Sequence, residues 1–216
     1  MGVNWNWNKE QESIADKIKK WFNPDREPLE KKAIMAQYRL KTAISRINNY
    51  VEKLNERDRE LFNNVVEALM RRDEKRAKIY AKETAEIRKV AKQLLTVQYA
   101  LEHAALKLET FLIYGGAINE VGPVIGVMKQ ALGILKSVAP DIWIDLQYAV
   151  RELETAMGSS IVDISADIES GLDSEARKIF EEAKIIAEQK VKERFAELPK
   201  TIGVPETEQG KASPTA

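Results

Sequence analysis

Three of the four tryptophans, Trp5, Trp7 and Trp21, fall within the stretch NWNWNKEQESIADKIKKWF that ends at Phe22. The chemistry such residues can do is interfacial. An indole ring is apolar while its N–H still seeks a partner, and the boundary between lipid headgroups and acyl chains satisfies both. On a helix, Trp7, Ile14, Ile18 and Trp21 share one stripe with Phe22 beside it, and Lys19 and Lys20 stand on the polar side, where they suit anionic lipid. Asn4, Asn6 and Asn8 favour neither helix nor insertion, so a second form stays open: Val3, Trp5 and Trp7 make a short extended end, and a helix runs from about Lys9. Myristoylation of Gly2 is not expected, because its motif wants Ser or Thr where Asn6 stands.

Covalent chemistry is poorly provided for. The chain has no cysteine and one histidine, His103, set mid-helix in Ala100-Leu101-Glu102-His103-Ala104-Ala105. A disulfide framework and a thiolate metal site are therefore impossible. No G-x-x-x-x-G-K-[ST], G-x-G-x-x-G or H-E-x-x-H pattern occurs. Neither an enzyme nor a cofactor or metal site is expected. The sequence shows no run of membrane-spanning length and no apolar signal region, so the expected place is cytoplasmic, with membrane contact only peripheral.

The 216 residues carry 34 cations and 34 anions, but unevenly. Residues 1–114 hold an excess of about six positive charges and residues 115–216 the same excess of negative ones. Between Ala139 and Glu175, Arg151 is the one cation among Asp141, Asp145, Glu152, Glu154, Asp163, Asp167, Glu169, Asp173 and Glu175. Such a division fits a basic half made for an anionic surface, with Lys31, Lys32, Arg39, Lys41 and Arg46 toward phosphates or neighbours. An acidic half that folds back would mask it. Nucleic acid is not an expected partner, since 17 acids dilute the basic half and no aromatics alternate with its cations.

The elements that position these groups read as helices throughout, and the fold class is all-α. Leu40, Ile44, Ile47, Val51, Leu54, Asp58, Leu61, Val65 and Ala68 step by three and four along one seam, with Asp58 its break. Thr84, Ile87, Ala91, Leu94, Gln98, Leu101, Ala105, Leu108 and Leu112 form a second. The polar stretch Arg71 to Lys75 lies between them, which predicts a long antiparallel αα-hairpin over 28–114, about 60 Å from end to end. Gly115-Gly116 and Gly122-Pro123 break the pattern; shorter helices are predicted at about 124–138 and, after Pro140, to 157. An acidic flexible linker over 158–173 leads to an amphipathic helix over 174–198 that Pro199 ends, and 199–216 has the composition of a disordered tail. Residues 1–27 form the N-terminal membrane stub, set apart by Pro24 and Pro28.

This order of features resembles the ESCRT-III family over about residues 28–200. The most specific stretch is Lys78-Ile79-Tyr80-Ala81-Lys82-Glu83 with Ile87-Arg88-Lys89, similar to the YAKE…RK opening of the second helix in that family. The chain is most similar to archaeal cell-division members of the CdvB type, among the shorter paralogues without a winged-helix tail. The resemblance implies open and closed forms, copolymers with related subunits, membrane-bound filaments that constrict or sever membrane at the division site, and disassembly by an AAA ATPase with an MIT domain. The family's MIT-binding helix is matched by Glu188, Val191, Arg194, Phe195 and Leu198, although Pro199 stands where its last basic residue belongs. A proline-based MIT motif is matched loosely by Leu198-Pro199 and Val204-Pro205. Packing of the same amphipathic helix on its own hairpin is the competing reading, and for the whole chain it is a soluble coiled-coil adaptor.

Overall fold

The computed structural model describes residues 29–114, 121–158 and 166–195, with side chains from residue 174 in the last segment. Among the described residues there are five helices and no strand: α1 Leu29–Met70, α2 Glu74–Tyr114, α3 Val121–Val138, α4 Pro140–Gly158 and α5 Ala166–Arg194. The stub, the connection at 159–165 and the tail from 196 onward lie outside the described residues.

The heptad pattern does what its spacing requires. Ala33, Ala36, Leu40, Ala43, Ile47, Val51, Asp58, Leu61, Val65 and Ala68 are all buried, and they line the face of α1 that meets α2. Ile44 and Leu54 are half-buried at its edge. On α2 the buried set is wider than one seam, because Leu95, Val97, Ala100, Ala104 and Phe111 join it. A helix that buries more than one stripe has neighbours on more than one side. Here α1 takes one side of α2, and α3 and α5 the other.

The turn between the arms is built by its polar residues. The Asp73 amide donates to the Ala68 carbonyl at 2.9 Å and the Arg72 amide to Leu69 at 2.9 Å, which closes α1 in a Schellman motif. Arg72 therefore sits at φ 58°, a left-handed conformation more usual for glycine. Asp73 then caps α2, its carboxylate accepting from the Arg76 amide at 3.1 Å.

Two helix starts differ from the sequence expectation. Gly122-Pro123 does not break α3 but forms its first turn, where backbone amides have no acceptor within the helix and the missing N–H of proline costs nothing. The last helix begins at Ala166, eight residues before the expected start, so 166–173 is helix rather than linker and Gly171 lies inside α5. A glycine within a helix costs about 1 kcal/mol relative to alanine. The packing of Ala176, Ile179 and Phe180, all buried, outweighs that cost.

One continuous core joins the open-end half of the hairpin to α3, α4 and the middle turns of α5 from Ala176 to Ala187, with Leu40, Leu101, Met128, Leu135, Ile142, Leu146 and Leu153 fully enclosed. Of the described helices only α3 is long and apolar enough to cross a membrane. Its Val121, Val124, Val127, Met128, Ala131 and Leu135 are instead buried in this core.

Candidate functional site

The charged residues that divide the sequence meet across the fold. On α1, Arg46 donates one guanidinium nitrogen to Asp145 and another to Asp141, both on α4. Tyr50 donates to the same Asp141 at 3.2 Å. Arg39 lies 3.8 Å from Glu152 and stands over the Tyr148 ring at 6.0 Å. Burial pushes the Asp141 carboxyl up, but the Ile142 amide, Arg46 and Tyr50 together hold it below its ordinary value. Lys41 pairs instead within the hairpin, with Glu109 of α2 at 3.2 Å. Lys31 and Lys32 lie in the first turn of α1, exposed and half-buried respectively.

A second set of pairs runs down the other side. Lys107 donates to Glu175, and Lys92 donates to Glu188 at 2.5 Å, so α5 lies along α2 and points toward the hairpin turn. The Lys92 hydrogen bond and charge lower the Glu188 pKa. At the far end Arg194 reaches Glu52 of α1 at 3.0 Å. Phe195 is 5% exposed and lies under the Arg88 guanidinium, 5.7 Å from its charge centre to the ring centroid. Arg88 in turn donates its Nε and a terminal nitrogen to the two Asp58 oxygens, at 2.6 and 3.0 Å. Asp58 is 2% exposed.

Magnitudes separate the glue from the guide. The pairs on α4 and α5 involve partly exposed side chains, worth about 0–1 kcal/mol each. Each fully buried large side chain, such as Ile142 or Leu146, contributes about 1.5–3 kcal/mol. Apolar burial therefore holds α4 and α5 to the hairpin. The ion pairs fix where along it they sit. The Asp58–Arg88 pair differs, because the cost of leaving either charge buried alone makes it a strict register constraint.

Among the described residues no group of acids and histidine could hold a metal ion. A shallow cleft at the hairpin turn is lined by Asn64, Glu67, Arg71, Asp73, Arg76 and Tyr80, but Arg71 is already paired with Glu67 and Arg76 with Asp73. His103 is half-buried on α2.

A long two-helix arm with a charge-matched acidic half folded onto it is the form in which known relatives can be compared. The chain is 40% identical to cell division protein B1 of Sulfolobus acidocaldarius over 179 residues, which are 81% of this chain and 82% of that protein. It is 30% identical to cell division protein B of the same organism over 190 residues, 86% and 73% of the two chains. This chain belongs to the archaeal cell-division protein B family, of the ESCRT-III type. No family model matches it, and no solved structure does.

The residues whose spacing resembles an MIT-binding helix are engaged within the fold. Glu188 and Arg194 are in ion pairs with the hairpin, Val191 packs against the core and Phe195 is buried. Leu198, Pro199, Val204 and Pro205 lie outside the described residues. So do Val3, Trp5, Trp7, Ile14, Ile18, Lys19, Lys20, Trp21 and Phe22. Of the basic residues read from the sequence, Arg39 and Arg46 are turned to α4 and Lys41 to α2. Sequence reasoning missed the Asp58–Arg88–Phe195 stack. The signal was present: an acid at a seam position, with an arginine equally far beyond the turn, asks for a partner across the hairpin.

Proposed function

We propose that this protein is a peripheral membrane protein of archaeal cell division that assembles with copies of itself and related subunits into membrane-bound filaments, constricts or severs membrane at the division site, and is taken apart by an AAA ATPase through an MIT domain. The observation that carries this reading is the pairing of hairpin cations Arg39, Arg46, Lys92 and Lys107 with acids of α4 and α5. A basic arm whose charges are paired internally suits a protomer held in reserve. Its release would free Arg39 and Arg46 for phosphates or neighbours, on the same arm as Lys31, Lys32 and Lys41. Division relatives at 40% and 30% identity support the cellular setting.

In this reading 115–171 is the movable latch, with Gly115-Gly116 as its hinge and the stub at 1–27 as the membrane anchor. Leaving the hairpin would also free Glu188, Val191, Arg194 and Phe195 for a groove between MIT helices. Energy for disassembly comes from the partner, since the chain has no nucleotide-binding motif.

The test is electron microscopy and co-sedimentation with anionic liposomes, for the whole chain and for forms lacking residues 1–22 or 139–216. Rings, spirals or tubes are expected on liposomes, reduced binding without 1–22, and readier assembly without 139–216. Equal sedimentation without 1–22 removes the anchor. A small oligomer indifferent to lipid would replace the filament with a soluble coiled-coil adaptor.

A further inference from the structure

One face of the hairpin is left open near its open end. On α1, Glu30, Ile34, Gln37 and Lys41 step by four, three and four, and on α2 Glu102, Leu106, Glu109 and Ile113 do the same, so each set forms a stripe. Gln37 and Lys41 both donate to Glu109 at 3.2 Å, which lays the two stripes side by side. The helices packed on the hairpin pass to either side: α4 engages Arg39 and Arg46 on one flank of α1, and α5 engages Lys107 on the far flank of α2. Ile34, Leu106 and Ile113, with Tyr38 one turn from Ile34, are each more than half exposed. Four such side chains present roughly 500 Å² of mostly apolar surface, within the range of the largest patch on an ordinary monomer, which is often functional.

We infer that this face is an isologous contact with a second copy of the chain, two hairpins lying antiparallel, open end beside open end, about a two-fold axis near the Gln37–Glu109 hydrogen bond. The residues of the face complement themselves under that operation. Leu106 and Ile113 stand about equally far on either side of the axis, so Leu106 of each copy meets Ile113 of the other, and Lys41 falls opposite Glu30 of the second copy. The charges exclude an anionic partner, because Lys41 stands among Glu30, Glu102 and Glu109. Phosphates of lipid or nucleic acid would meet an acidic excess there. With its polar rim the face offers roughly the 800 Å² that each partner contributes to a standard interface. An isologous contact closes on itself and cannot propagate, so it is distinct from the heterologous contacts that a filament needs. It goes beyond the filament reading and requires neither lipid nor ATPase.

A chain without cysteine makes the test clean. Thr110 is exposed between Leu106 and Ile113, beside the axis, whereas Lys75 is exposed at the turn, about 50 Å away along α2. The full chain with Thr110→Cys is treated with a short bismaleimide in the absence of lipid, beside the full chain with Lys75→Cys. A covalent dimer is expected from the first and none from the second. In light scattering the unaltered chain is expected to be a dimer, and Leu106→Glu with Ile113→Glu to weaken association about ten-fold or more while the helical circular dichroism is unchanged. No dimer from Thr110→Cys, or a cross-link formed only when the two variants are mixed, overturns the proposal, the latter assigning the face to a heterologous contact. A chain that dimerises only once residues 1–28 are removed overturns it too, giving the face to the N-terminal residues of the same chain. Filaments on liposomes without a dimer in solution refute this contact alone, and a dimer without filaments refutes the filament alone.

Discussion

The two halves of the hairpin are made from the same helices and held by different physics. Near the open end, residues 29–54 and 90–114 are packed by α3, α4 and α5 into a core of leucine, valine and alanine. Toward the turn, residues 55–89 have a thin seam: Leu61, Val65, Ala68, Ala77 and Ala81 share it with buried Asn55, Asp58 and Thr84. The open end is stable because it excludes water from many side chains at once. The turn end is held in register by one pair across the seam, Asp58 with Arg88, which a shifted alignment would break. Stability and register are thus assigned to separate parts of one element.

The most damaging way to break this division is at the turn end. Asp58→Ala leaves the half-buried Arg88 without its partner and is expected to cost about 3 kcal/mol in urea unfolding. Replacing both members, Asp58→Leu with Arg88→Met, should recover most of that loss. If it does not, the pair is more than a register constraint. Next, Leu101→Ala in the open end is expected to cost about 2–5 kcal/mol by the same measurement, against about 1–2 kcal/mol for Val65→Ala near the turn. Equal costs would erase the contrast in packing.

Smaller effects test the α1–α4 and α2–α5 contacts. Arg46→Ala removes both bridges to α4 and should cost no more than about 1 kcal/mol, seen as faster amide exchange in 141–146 rather than as global unfolding. Acid acts in the same direction. Asp141 and Glu188 have carboxyls held below their ordinary values, so they stabilise the folded-back form above those values. That contribution is lost as pH falls through about 4 and below. Exchange in α4 and α5 should therefore rise in acid before exchange in the hairpin core does. Simultaneous release would mean that these carboxylates do not guide the closed arrangement.

Much of this was legible in the sequence, where periodicity speaks and propensity does not contradict it. The hairpin arms follow from seams at Leu40 to Ala68 and Thr84 to Leu112, and the turn from Arg71 to Lys75, because heptad burial and turn chemistry are both local in sequence. The start of α5 was not legible, since Ser170-Gly171 reads as a connection, yet the helix that packs through Ala176, Ile179 and Phe180 runs through it. Pro123 misled for a related reason: its cost depends on its place in the helix, and from sequence alone an interior and a first-turn proline look alike. The charge division was legible as a division. Which cation meets which acid was not, because Arg46 with Asp141 and Lys92 with Glu188 are separated by nearly a hundred residues.

The buried pair across the seam also constrains how this protein can change length. Asp58 and Arg88 each stand fifteen residues from Asp73, the residue that opens the second arm. An insertion or deletion in only one arm between them would slide carboxylate past guanidinium and strand both. The turn end can therefore grow or shrink only by matched changes in its two arms, of one heptad or a multiple of it. In that sense the pair is a ruler, and the reach of the hairpin is written in two residues.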